Sequence, residues 1–179
     1  MNQPKAGRPR SEQAREAVLH AVDDMLLEVG YAAMTMKAIA ERAGVGRQTV
    51  YRWWSTKAEI LFEASVADAE EELAVPPADD PRAEVTAYLD ALVVFLTRSP
   101  AGAAYRALLA AAEHDPAVKA LVASRDVLGD SARAVLDRVS TASDQAVARL
   151  VGPPFFWVMS GRDPAALDTA ALAGDFLDG

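Results

Sequence analysis

Apolar residues recur at helical spacing along most of this chain, and the breaks in that recurrence divide it into segments. Val18, Val22, Met25 and Val29 follow one another at steps of four, three and four, which sets them on one face of a helix. Leu19 and Leu26 widen the stripe, Ser11 is placed to cap its start and Gly30 to end it. Thr35 is placed to cap a second, short helix reaching Ala43, with Ile39 and Ala40 inward and Gly44 stopping it. Gly44-Val45-Gly46 then makes a three-residue turn. A third short helix is expected from Arg47 to Trp54. Thr56 opens a long fourth helix, whose buried side is expected to carry Ile60, Leu61, Ala64 and Leu73.

That helix stops before Pro76-Pro77, and the composition changes sharply at the loop PPADDPR. Beyond it, a helix is predicted over 82–97, with Val85, Tyr88, Leu92 and Phe95 in register. Ser99-Pro100 starts another through Tyr105, Leu108 and Leu109, and Asp115-Pro116 opens one running towards Val139. The last two are predicted over 143–160 and 163–176. Pro153-Pro154 must bend, interrupt or start a helix, because proline lacks an N–H and clashes with the preceding turn. Neither an internal repeat nor a convincing strand is visible. The expectation is an all-α chain with a small N-terminal helical unit in residues 1–60 and a larger helical bundle in 61–179.

Composition narrows the class. The 179 residues suffice for one or two compact units, and the 51% apolar share is rich in alanine, which favours helix. No apolar run approaches the ~20 residues that span a bilayer, and MNQPKAGRPR lacks the apolar stretch of a secretory signal. With no cysteine, disulfides and thiolate chemistry are excluded. A cytoplasmic protein is expected. The net charge of −8 argues against a nucleic-acid partner until its distribution is considered. Residues 1–60 carry nine Lys/Arg against seven Asp/Glu, whereas residues 61–179 carry nine against nineteen. The N-terminal unit alone tolerates phosphate.

Two short helices joined by a glycine turn make a helix-turn-helix, whose second helix lies in the DNA major groove. At about 100° per residue, Arg47, Gln48, Tyr51 and Arg52 fall on one side of the third helix, and Val50 and Trp54 on the other. Arginine can fork onto guanine O6 and N7, and glutamine onto adenine N6 and N7. The hydroxyls of Thr49 and Tyr51 suit phosphate, as do Thr35 and Lys57 at helix starts. Arg8 and Arg10 lie on a basic arm suited to a neighbouring minor groove.

The run TMKAIAERAGVGRQTVYRWWSTKAEIL resembles the DNA-binding signature of the TetR family of bacterial transcriptional regulators. The likeness rests on Thr35, Ile39, Ala40, Ala43-Gly44-Val45, Thr49, Val50-Tyr51, Trp54 and Lys57-Ala58, and it covers residues 10–62. Beyond them only the helix pattern and GPPFFWVMSGRDP are similar. The resemblance implies an all-helical homodimer with a three-helix DNA-binding head, an effector pocket in the C-terminal domain and a dimer interface on the last two helices. It also implies a repressor that leaves double-stranded operator DNA when a small molecule binds. Carried over by position, Arg47, Gln48 and Arg52 become base readers, and Thr35, Thr49, Tyr51 and Lys57 phosphate contacts, with Lys37 and Gly46 completing the set. Trp53-Trp54 departs from the commoner tyrosine-phenylalanine-like pair, which leaves Trp53 open between a phosphate or sugar contact and a packing residue.

Other constellations are weaker. His114 stands between two acids, but adjacent residues do not converge on one ion, and Glu70-Glu71-Glu72 reads as a solvated face. Phosphate loops, nucleophile elbows and metal-spaced histidines are missing. No enzyme, cofactor or metal is expected. Tyr88, Phe95, Tyr105, Leu109 and Trp157 are candidates for an effector cavity, with plain core as the alternative for each. Phe155, Phe156 and Trp157 fit a dimer seam equally well. The rival functions are an architectural protein blind to effectors and a helical ligand carrier without DNA binding.

Overall fold

The protein is seen here as a computed structural model that describes residues 8–179, with side chains from Glu12 onward. Its first helix, α1 (Arg8–Ala33), is already helical at Ser11, so that residue is not the cap expected of it. The helix breaks at Gly30, where φ 74° and ψ 161° suit glycine alone. Val18, Val22, Met25 and Leu26 are buried as expected, but Val29 is 52% exposed. The chain turns at Gly30 and brings Met34, 2% exposed, into the core instead.

Three shorter steps complete the N-terminal unit: α2 (Met36–Arg42), α3 (Arg47–Tyr51) and the longer α4 (Lys57–Glu72). The α3 helix is shorter than the expected 47–54. The N–H groups of Trp53 and Trp54 both turn back to the Val50 carbonyl, each at 3.0 Å. Thr56 then caps α4 by accepting from Glu59 N at 3.2 Å, while the Glu59 carboxylate accepts from Ser55 N at 2.7 Å. These reciprocal bonds form a capping box shifted by one residue.

Six more helices follow: α5 (Pro81–Arg98), α6 (Pro100–Ala112), α7 (Pro116–Ala123), α8 (Val127–Val139), α9 (Asp144–Met159) and α10 (Thr169–Asp178). Each opens on a Ser or Asp side chain that accepts a backbone N–H, and α5, α6 and α7 begin with proline. Such caps explain two differences from the expected segments. The helix expected to run from Pro116 to Val139 is cut in two. Ser124 Oγ donates back to the Leu121 carbonyl at 2.6 Å, and Asp126 caps α8 through Gly129 N at 3.0 Å. Likewise Asp163 caps a single 3₁₀ turn at Pro164–Ala166, and Asp168 then starts α10. Between these, α9 runs on through Pro153-Pro154, leaving the carbonyls of Arg149 and Leu150 without their usual helical donors.

Packing does not divide the chain at residue 60. One core joins α1–α4 to Ala104 and Leu108 of α6 and Val118 of α7. The other gathers Ala69 and Leu73 at the end of α4 with α5, α8, α9 and α10. Helix α4 therefore crosses both cores, and α6 with α7 closes the head. Buried Glu84 pins the loop between α4 and α5, accepting from Ala78 N at 2.9 Å and from Arg138 Nε at 2.5 Å. The backbone donor first, and the guanidinium after it, hold its carboxyl below the usual range.

Candidate nucleic-acid interface

The α2–turn–α3 unit is built from local bonds. Thr35 Oγ1 accepts from Ala38 N at 3.1 Å, fixing the start of α2. Gly44, at φ 66°, adopts the left-handed conformation that reverses the chain. Val45 N returns to the Ala40 carbonyl at 3.0 Å, and Gly46 leads into α3. Arg42 ties α2 back to α1 through Glu28.

Val50 and Trp54 anchor the far side of α3, at 0% and 3% exposure. Trp54 Nε1 donates to Glu63 of α4 at 3.0 Å, and Arg15 of α1 lies 2.5 Å from the same carboxylate. Arg47, Gln48, Tyr51 and Arg52 are all exposed on the opposite side, with Thr49 half-buried between the two sets. Among the described residues neither Arg47 nor Arg52 forms an ion pair, whereas Lys37 on α2 stands 3.7 Å from Glu41. The α3 face thus presents two uncompensated guanidiniums, an amide and a phenol.

The remaining DNA candidates are disposed differently. The backbones of Arg8 and Arg10 are in the first turns of α1, and their side chains lie outside the described residues. Thr35 and Gly46 are exposed at the starts of α2 and α3. Trp53 is half-buried, its ring edge-on to Trp54 at 5.5 Å between centroids.

Lys57 makes contacts of its own within the fold. Its ammonium donates to the carbonyls of Tyr31 at 2.6 Å and Met34 at 3.0 Å, and lies 4.3 Å over the Tyr31 ring. Burial lowers its pKa. A phosphate would have to compete with the carbonyls at the end of α1, so Lys57 serves first to join α1 to α4. Arg15, Glu63 and Tyr31, which brace these elements, escaped the sequence reading because their partners lie far along the chain.

The five effector candidates do not converge on one cavity. Tyr88 and Phe95 are fully buried core. The Tyr88 hydroxyl lies 3.0 Å from Ser131 Oγ, and burial pushes its pKa up to about 12. Trp157 instead folds over the chain after α9, donating to the Asp163 carbonyl at 2.8 Å under the Arg162 guanidinium. Tyr105 lines an open cavity of about 560 Å³ between α6, α8 and α9. Leu109 lines a largely apolar one of about 510 Å³ between α6, α7 and α9. Phe155 borders both.

Residues 18–64 match the family model described as bacterial regulatory proteins, tetR family. An uncharacterised HTH-type transcriptional regulator of Bacillus subtilis, YdeS, is 38% identical over 113 residues, covering 63% of this chain and 57% of that protein. The regulator Rv1556 of Mycobacterium tuberculosis is 40% identical over 70 residues, 38% of this chain and 34% of its own. The matches therefore span little more than half the length of the first of these curated relatives and about a third of the second. Among solved structures, the TetR family transcription regulator SCO0332 superimposes with a TM-score of 0.70 at 28% identity, covering 93% of this chain and 98% of that one. Among the described residues no helix is long and apolar enough to cross a membrane.

Proposed function

We propose that this chain, which belongs to the tetR family of bacterial regulatory proteins, binds double-stranded operator DNA sequence-specifically and represses transcription until a small molecule releases it. One observation carries the reading: Arg47, Gln48, Tyr51 and Arg52 are exposed together on a helix fixed from behind by Val50 and Trp54. A sequence-blind binder has little use for Gln48 on that face, which favours base reading over the architectural alternative.

The active species is a homodimer through α9 and α10. Phe156 and Met159 support this, being 59% and 46% exposed on α9. The effector enters beside Phe155, where Tyr105 offers a hydroxyl that makes no hydrogen bond among the described residues and stays neutral, its pKa pushed by burial to about 12. Of the two cavities beside Phe155, the one lined by Leu109 separates α6 and α7, which share a core with the head, from α9 in the other core. A ligand that binds one arrangement of this seam better than another shifts the head by that difference in affinity.

Selection from random double-stranded DNA tests the proposal. A palindrome is expected, with half-sites ~34–36 Å apart or a multiple of that. Binding without sequence preference, falling steeply with salt, would overturn it.

A further inference from the structure

Six arginines, at 15, 42, 82, 125, 133 and 138, lie against carboxylates. Arg52 does not. Its guanidinium carbon sits 4.8 Å from the centroid of the Trp53 ring. An ion pair would hold Arg52 equally well, but it would occupy donors and cancel the charge that DNA attracts. A ring face does neither. A guanidinium stacked on an indole keeps its five N–H donors in the plane of the stack and available.

The ring itself is held. Trp53 meets Trp54 edge to face at 5.5 Å and 73°, and Trp54 is 3% exposed and anchored to Glu63 at 3.0 Å. Rigidity thus passes from the α1–α4 core through two indoles to one exposed cation. A free arginine gives up several rotatable bonds on binding, and a guanidinium already resting on a fixed plane gives up fewer. Tyrosine or phenylalanine at this position offers a weaker face.

We propose that Trp53 is a positioning residue for operator recognition: its ring pre-orients Arg52 towards DNA without consuming any of the hydrogen-bond donors of that arginine. The role rests on the DNA-binding reading above. Three measurements on the full chain test it. Operator affinity, measured on the sequence selected by the unaltered protein, should fall roughly three- to tenfold in Trp53→Leu. Trp53→Phe, which keeps a ring, should recover part of the loss. In an Arg52→Ala background, Trp53→Leu should cost nothing further. In the free protein, the Arg52 Nε–H resonance should carry an upfield ring-current shift that Trp53→Leu abolishes and Trp53→Phe reduces.

An equal loss from Trp53→Leu with and without Arg52 would overturn the proposal, since Trp53 would then act on DNA or on the scaffold by itself. An unshifted Arg52 resonance would also overturn it, and this holds even if Trp53→Leu folds poorly, because it is read on the unaltered chain. Failure of the unaltered protein to enrich any sequence would instead remove the DNA reading itself, and this role with it.

Discussion

Lys57 is half-buried, and its amine closes the carbonyl end of α1. Lys57→Met keeps most of the stem packing and removes the ammonium, leaving the Tyr31 and Met34 carbonyls without that donor. A loss of about 2 kcal/mol is expected, or roughly 4–8 °C in Tm for a chain of this size. Thermal unfolding without DNA measures it, and an unchanged Tm would return Lys57 to the role of a plain phosphate contact. The contrast with α3 shows which side chains could be read in advance. Val50 and Trp54 inward, and Arg47, Gln48, Tyr51 and Arg52 outward, follow from helical angle alone. Lys57 bonds to residues 23 and 26 positions earlier, and no local pattern encodes that choice.

At the scale of elements, the starts of α2 and α4–α7 were the most legible feature, because Thr, Ser and Asp caps, followed by proline in α5–α7, announce themselves in sequence. The break between α7 and α8 was not, since Val118, Leu121, Val122, Val127 and Leu128 sustain an apolar stripe across it. Only the polar triplet Ser124-Arg125-Asp126 marks the cut. Crossings between helices are still less visible. Gly102, in the first turn of α6, passes so close to the end of α5 that a Cβ there would meet the Phe95 carbonyl oxygen at 1.7 Å. Helix propensity favours Gly102→Ala by about 1 kcal/mol, but the obstacle is backbone and cannot swing aside. The clash should win by about 3 kcal/mol or more, lowering Tm by roughly 6–12 °C. A raised Tm would mean that α5 and α6 part at little cost.

At the scale of the molecule, the all-helical plan and the position of the helix-turn-helix were legible, while the partition of the core was not. Sequence places a boundary near residue 60, where the resemblance and the charge balance change. Packing instead gives the head three further buried residues from beyond the 74–80 loop. Ala104 and Leu108 of α6 are 0% exposed, and Val118 of α7 is 5%. Fully burying a leucine or valine contributes about 1.5–3 kcal/mol, so these three together supply on the order of 5 kcal/mol to the head. A core built from fewer than ~70–80 residues rarely provides more than ~3–5 kcal/mol in all. Without α6 and α7 the balance for α1–α4 therefore falls near zero. A fragment of residues 1–75 should show weakened helical circular dichroism and a broad, uncooperative melt, whereas residues 1–124, which retain α5–α7, should recover much of the helicity of the head. A sharp two-state transition in the shorter fragment would show that the head closes on itself. It would also remove the proposed route from a ligand beside α6 and α7 to the DNA-facing helix, because an independent head could ignore how those helices move.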